Sequence, residues 1–238
     1  MTKKHSKAYL EAQKQIEPNK QYEPKDAIAL AKKISHTKFD ETVELHLLMG
    51  VDPRNSAEQV RGVALLPHGL GKTVRLLVFA QGEAERVAQT AGADYVGNDE
   101  IIKKIEDGWL EFDAAIATPD MMGKVGKLGK ILGRRGLMPN PKSGTVVQPN
   151  DLPRVIGESR KGRVEFKLDR TAIIHLVLGK VSFDEQKLLD NLAAVIDAIN
   201  KAKPASVKGQ FVKTATLTTT MGPGIKLDLK PTLALTAS

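Results

Sequence analysis

The hydrophobic pattern of this chain changes character twice along its length, and that change limits the possible folds more than any other feature. Between residues 70 and 158 short apolar runs alternate with amphipathic ones. Residues 74–80 are mostly apolar and precede the helical pattern Glu83–Thr90, and residues 94–96 precede Asp99–Glu106. Ala114–Ala117 then leads through Thr118, Pro119 and Asp120 into another helix. Strands separated by helices with short links must run parallel, because each helix has to cross over before the next strand begins. The predicted result is a parallel sheet with helices on its faces.

The flanks read differently. Pro24–Ile34 places Ala27, Leu30, Ala31 and Ile34 on one helical face, with Pro24 suited to the first turn. Residues 42–48 alternate polar with apolar through Leu47, as a half-buried strand should, and residues 52–71 are turn-rich. After a helix over 151–159, residues 164–169 alternate strictly, and 171–178 follow closely enough to pair with them as a hairpin. A long helix opens at Asp184 with Leu188, Leu192, Val195, Ile196 and Ile199 along one side. Strands over 211–219 and 225–229 finish the chain around Met221-Gly222-Pro223-Gly224. The expected architecture is α/β and α+β in two domains. Residues 1–69 and 159–238 form a discontinuous α+β domain holding both termini, and 70–158 form an inserted βαβ domain of Rossmann-like parallel-sheet type. The chain crosses between them twice, near Gly69 and Gly162, which is where a hinge is expected.

Composition narrows the function. Of the 238 residues, 36 are Lys or Arg and 28 Asp or Glu, a net charge of +8, so the surface attracts polyanions such as nucleic acid. With no cysteine there is no disulfide and no thiolate metal site. No apolar run reaches the roughly 18 residues of a membrane span, and the basic N-terminus enters a polar helix instead of a signal core; the expected location is cytoplasmic. The five histidines (5, 36, 46, 68 and 175) show no spacing that suggests paired metal ligands. Gly71-Lys72-Thr73 imitates the end of a phosphate-binding loop, but the pattern's earlier glycine is Leu66 and a strand follows where the motif needs a helix. Asp94, Asp99, Asp113 and Asp120 fall near strand ends, where caps are commoner than catalysts. A cofactor enzyme would need a glycine-rich turn after the first inserted strand; Ala80-Gln81-Gly82-Glu83 offers one glycine followed by an acid. No catalytic constellation, cofactor or metal site emerges.

Two surfaces remain as candidates. Residues 121–142 carry Lys124, Lys127, Lys130, Arg134, Arg135 and Lys142 with no acid, interrupted by glycines at 123, 126, 129, 133 and 136. Glycine permits close backbone approach and the cations suit phosphates, although a flexible solvated loop fits the same composition. The second surface joins residues 38–42 to 214–224. Phe39 among polar neighbours could stack on a base or pack in the core, and the threonines of 216–220 could donate to 2′-hydroxyls and phosphates or simply favour a strand. A general single-strand binder would want more stacking rings than 4% aromatics supplies.

Four blocks carry a family resemblance: KFDETVELH, RGVALLPHGLGK, GLMPNPKSGTV and TTTMGPG. Together, in collinear order over essentially the whole chain, they resemble the bacterial large-subunit ribosomal protein family of the lateral stalk, the universal L-one family. The resemblance implies a non-enzymatic protein whose terminal domain grips large-subunit rRNA at the mobile stalk. Implied RNA-binding residues are Lys38, Phe39, Thr42, Lys180, Thr214, Thr218, Thr220, Met221 and Gly222. It implies further partners: deacylated tRNA leaving the exit site, and the chain's own operon mRNA, which such a protein represses. Lys124, Lys127, Lys130, Arg134 and Arg135 are the stretch expected to face tRNA.

Overall fold

The computed structural model describes residues 6–97 and 99–236. The chain forms two compact units, one built from Met1–Gly71 with Val164–Ser238 and the other from Lys72–Arg163. The return crossing falls at residues 163–164, beside the Gly162 expected, and the second unit runs a few residues past the expected 158. Helix α7 (Leu152–Lys161) keeps Leu152, Val155 and Ile156 in the core of the second unit until Gly162, at φ 118°, ends it.

In the first unit come α1 (Lys7–Lys14), α2 (Pro24–Ile34), β1 (Thr42–Met49) and β2 (Arg61–Leu65). The later part supplies β6 (Arg163–Lys167), β7 (Ile173–Lys180), α8 (Glu185–Lys201), β8 (Val212–Thr219), β9 (Ile225–Leu227) and α9 (Leu229–Leu233). Four strands form an antiparallel sheet in the order β7-β1-β8-β9. Along β1, Val43, Leu45, Leu47 and Met49 are buried and the residues between them are half-exposed. The buried face lies in one core with Leu188, Leu192, Val195, Ile196 and Ile199 of α8 and with Ala27, Ile28, Ala31 and Ile34 of α2. The opposite face of β1 presents Thr42, Glu44, His46 and Leu48.

The structure corrects three expectations. The turn-rich stretch contains β2, which pairs with β6 in a small separate sheet. The hairpin between 164–169 and 171–178 is reduced to a single bridge, Leu168 to Ile174. The Asp169 carboxylate accepts from the amides of Thr171 (2.8 Å) and Ile173 (2.7 Å), with Ala172 at φ 61°, so the chain bends sharply. β7 pairs instead with β1. The last strand also ends early, at Leu227, where Asp228 caps α9.

In the second unit β3 (Leu76–Phe79), β4 (Tyr95–Gly97) and β5 (Ala114–Ala117) form a parallel sheet in the order β4-β3-β5. Leu76 and Val78 join a cluster with α3 (Glu83–Thr90) and α7; Leu77 and Phe79 join another with α4 (Asp99–Glu106). All four β3 side chains are buried, which is why this strand reads as a continuous apolar run. Residues 121–135 pack on the α4 side as short 3₁₀ and α turns that include α5 (Met122–Val125) and α6 (Gly129–Leu132).

Candidate RNA-binding surface

Register brings the distant segments of the first unit to one edge of its sheet. Thr42, first in β1, stands opposite Lys180, last in β7, and its neighbour Val43 stands opposite Thr219 near the end of β8. Backbone and side chain then lock the corner. The Thr42 amide donates to the Thr220 hydroxyl (2.9 Å), and the Thr220 amide donates to the Thr42 carbonyl (3.1 Å). The Lys180 ammonium donates to the Thr42 hydroxyl (3.0 Å) and the Asp40 carbonyl (3.3 Å), while the Asp40 carboxylate accepts from the Ser182 amide and hydroxyl.

Phe39 and Met221 stand at this rim, 55% and 53% exposed. Large apolar side chains held in water without a packing role mark contact surfaces when they cluster among polar groups. The Met221 loop is closed by the Thr218 hydroxyl, which donates to the Gly222 carbonyl at 3.1 Å. A Cβ at Gly222 would stand 2.4 Å from the Thr219 hydroxyl oxygen, so the loop can be this tight only with glycine there.

Beneath the rim lies Glu41, fully buried. Its carboxylate accepts from the Ser35 hydroxyl (2.9 Å) and the Met221 amide (3.1 Å). Burial alone would push this carboxyl up. The hydroxyl of Thr219, the Met221 amide and the hydroxyls of Ser35 and Thr37 outweigh it and bring the group down to about 2. The Thr219 oxygen is itself buried without a hydrogen bond of good geometry, so it acts on the carboxylate as a nearby dipole.

The structure therefore gathers Lys38, Phe39, Thr42, Lys180, Thr218, Thr220, Met221 and Gly222 around one corner. Thr214 is not among them. It stands opposite Leu48 toward the far end of β1, four residues from Thr218, or about 14 Å at strand rise.

One pairing escaped the sequence reading. His46 and His175 are cross-strand partners, and their Nδ1 atoms meet at 2.8 Å with ring planes 67° apart. One ring must donate and the other accept. The far nitrogens face Glu44 (3.7 Å) and Asp169 (3.6 Å). Burial and the neighbouring ring of His175 lower the pKa of His46 against the opposing pull of Glu44. Among the described residues no group of three or more His, Cys, Asp or Glu side chains is placed to hold a metal ion.

In the second unit, residues 121–135 of the basic stretch form helical turns, as expected after Asp120, and 136–140 are irregular. Met121, Val125, Leu128 and Leu132 recur at helical spacing and are buried, which leaves Lys127, Lys130, Arg134 and Arg135 exposed. A Cβ at Gly123, Gly126, Gly129 or Gly133 would meet nothing within 4 Å, so these glycines give an unobstructed backbone face instead of a close internal contact. Lys124 is already engaged with Asp99 of α4 at 2.8 Å. Two of the acids near the strand ends have structural partners: Asp94 accepts from the Leu76 amide and Asp113 from the Arg75 amide and the Lys72 ammonium. No described helix is long and apolar enough to cross a membrane.

Comparison with known proteins identifies the family. The sequence profile of the ribosomal protein L1p/L10e family matches residues 31–223. The chain is similar to the "Large ribosomal subunit protein uL1" of Dehalococcoides mccartyi strain BAV1, 64% identical over 231 residues, covering 97% of this chain and 98% of that one. It is also similar to the proteins of that name from Thermomicrobium roseum (58% identity; 97% and 96% covered) and Chloroflexus aggregans (56%; 95% and 96%). With a match that spans most of its length and relatives this close, the chain belongs to the ribosomal protein L1p/L10e family.

Proposed function

We propose that this protein anchors the lateral stalk of the large ribosomal subunit by gripping rRNA through the rim around Phe39 and Met221. As a member of its family it is a structural, RNA-binding ribosomal protein and not an enzyme. The observation that carries the finer reading is the convergence, at one sheet edge, of two exposed apolar side chains with the Lys180 ammonium and the hydroxyls of Thr42, Thr218 and Thr220. A ring for stacking, hydroxyls for 2′-hydroxyls and a cation for phosphate form a donor set suited to folded RNA. Base-edge readout would need more amide and guanidinium groups aimed outward.

The reading extends to two further RNAs. The exposed cations at 127, 130, 134 and 135 serve deacylated tRNA leaving the exit site, where contact must be brief and charge-driven contacts dissociate readily. The rim, offered an rRNA-like fold in the chain's own operon mRNA, binds it and represses translation. Crosslinking in growing cells followed by sequencing of the bound RNA tests all three. One compact large-subunit rRNA segment should dominate, joined by tRNA and the leader of the chain's own message. A scatter of unrelated RNAs would refute the assignment.

A further inference from the structure

Among the described residues, Glu41 is the one charged side chain in the buried polar set, and it lies directly beneath the rim. That is an unfavourable place for an acid in a protein that binds a polyanion, since its charge opposes incoming phosphates at any range inside a Debye length of about 8–10 Å. Full burial also prevents it from touching RNA. Its contribution has to be geometric.

We propose that Glu41 is a positioning residue for RNA recognition: its carboxylate ties the 35–42 segment to the Met221 loop and sets the rim before RNA arrives. This rests on the RNA-binding reading above. One oxygen takes the Ser35 hydroxyl and the other the Met221 amide, so the side chain bridges two segments 186 residues apart in sequence at their extremes. Among the described residues, the Met221 amide is the loop-tip donor that a side chain of the first segment accepts, next to the paired Thr42 and Thr220 bonds that hold the base of the loop. Without it the methionine would have to be ordered when RNA binds, and ordering at that moment weakens affinity.

The proposal makes reach, not charge, the decisive property. Glu41→Gln keeps the length and an oxygen for the Met221 amide, while its NH₂ can donate to the Ser35 oxygen. Glu41→Asp keeps the charge but is shorter by about 1.5 Å and cannot span both donors. In the full-length chain, the Met221 amide should exchange with deuterium about tenfold faster in Glu41→Asp and stay within about threefold of wild type in Glu41→Gln. Affinity for a large-subunit rRNA transcript should fall about tenfold in Glu41→Asp, and affinity for an unrelated duplex RNA should not change. The Asp variant matching wild type in exchange and affinity, or Gln failing where Asp succeeds, would overturn the proposal. If Glu41→Asp does not fold, Ser35→Ala replaces it; this variant frees one carboxylate oxygen and should show the same two changes at smaller size, and no change in either refutes the idea. A wild-type chain that fails to prefer rRNA over duplex would refute the RNA-binding reading. The exchange rates would still judge whether Glu41 sets the loop.

Discussion

Asn191 offers a sharp test of how the first unit is held together. It is fully buried on α8, where its carboxamide makes three hydrogen bonds to backbone. Nδ2 donates to the carbonyls of Leu178 (2.7 Å) and Gly69 (3.1 Å), and Oδ1 accepts from the His68 amide (3.1 Å). Leu178 needs such a partner because β7 is bulged there: Gly179 faces Val43 and Val177 faces Glu44, which leaves Leu178 without an opposite residue. Asn191→Leu preserves the approximate shape and removes all three bonds. Stranding the buried Leu178 carbonyl costs about 1–3 kcal/mol, and losing the two half-buried bonds about 0.5–1.5 kcal/mol each. Burying a leucine in place of an amide offsets about 1–2 kcal/mol of this. The net expectation is a loss of about 1–4 kcal/mol. Asn191→Asp should be worse, because a carboxylate then meets two carbonyl oxygens. Urea unfolding followed by far-ultraviolet circular dichroism measures the loss. The single tryptophan, Trp109, lies in the second unit, so its fluorescence transition should not move. A leucine variant as stable as wild type, or a shift confined to the Trp109 transition, would refute the reasoning.

The remaining predictions concern the rim and the basic face. Phe39→Ala and Met221→Asp should each weaken rRNA binding by about 1–3 kcal/mol in a gel-shift titration while leaving the thermal midpoint nearly unchanged, since both side chains stand mostly in solvent. A collapse of stability with unchanged affinity of the folded fraction would show that they are core residues. Glu41 is held at about 2 against an ordinary 4.5. A folded-state value below the unfolded one stabilises the fold above the unfolded value, and the contribution disappears as pH falls through the folded one. The first unit should therefore lose about 3 kcal/mol between about pH 5 and pH 2 through this group, and Glu41→Gln should flatten that part of the stability profile. Replacing Lys127, Lys130 and Arg134 with glutamine should leave rRNA affinity nearly unchanged and alter release of labelled deacylated tRNA from assembled ribosomes. An rRNA affinity lowered by orders of magnitude with normal release would reverse the roles assigned to the two surfaces.

What could be read without coordinates was whatever depends on near neighbours in sequence. The four-residue apolar run of β3 signals burial on both faces, because a strand between two helical layers has no polar side. The spacing of Leu188, Leu192, Val195, Ile196 and Ile199 names the buried face of α8, since 3.6 residues per turn leaves no other arrangement. The order of strand and helix in the second unit, and the return of the chain to the first, follow from the same local rules. Phe39, Met221 and the threonines near them stood out as apolar or hydroxyl residues in unusual company, and so most of the rim could be named in advance.

Partner choice between distant segments was decided only by the tertiary structure. Residues 164–169 carry the alternation of a hairpin strand, but the link over 168–172, held by Asp169, turns β7 away to β1, more than 120 residues earlier. That choice sets the register, and the register creates the rest: Thr42 against Lys180, His46 against His175, and Glu41 sealed beneath the Met221 loop. A helix is expected after Asp120, yet glycine at four positions from 123 to 133 weakens it, because its helix propensity is about 1 kcal/mol worse than alanine's per residue. Packing of Val125, Leu128 and Leu132 into the second core outweighs that cost. Local preference is worth fractions of a kilocalorie per residue and burial several times more, so wherever the two disagreed in this protein the long-range contacts prevailed.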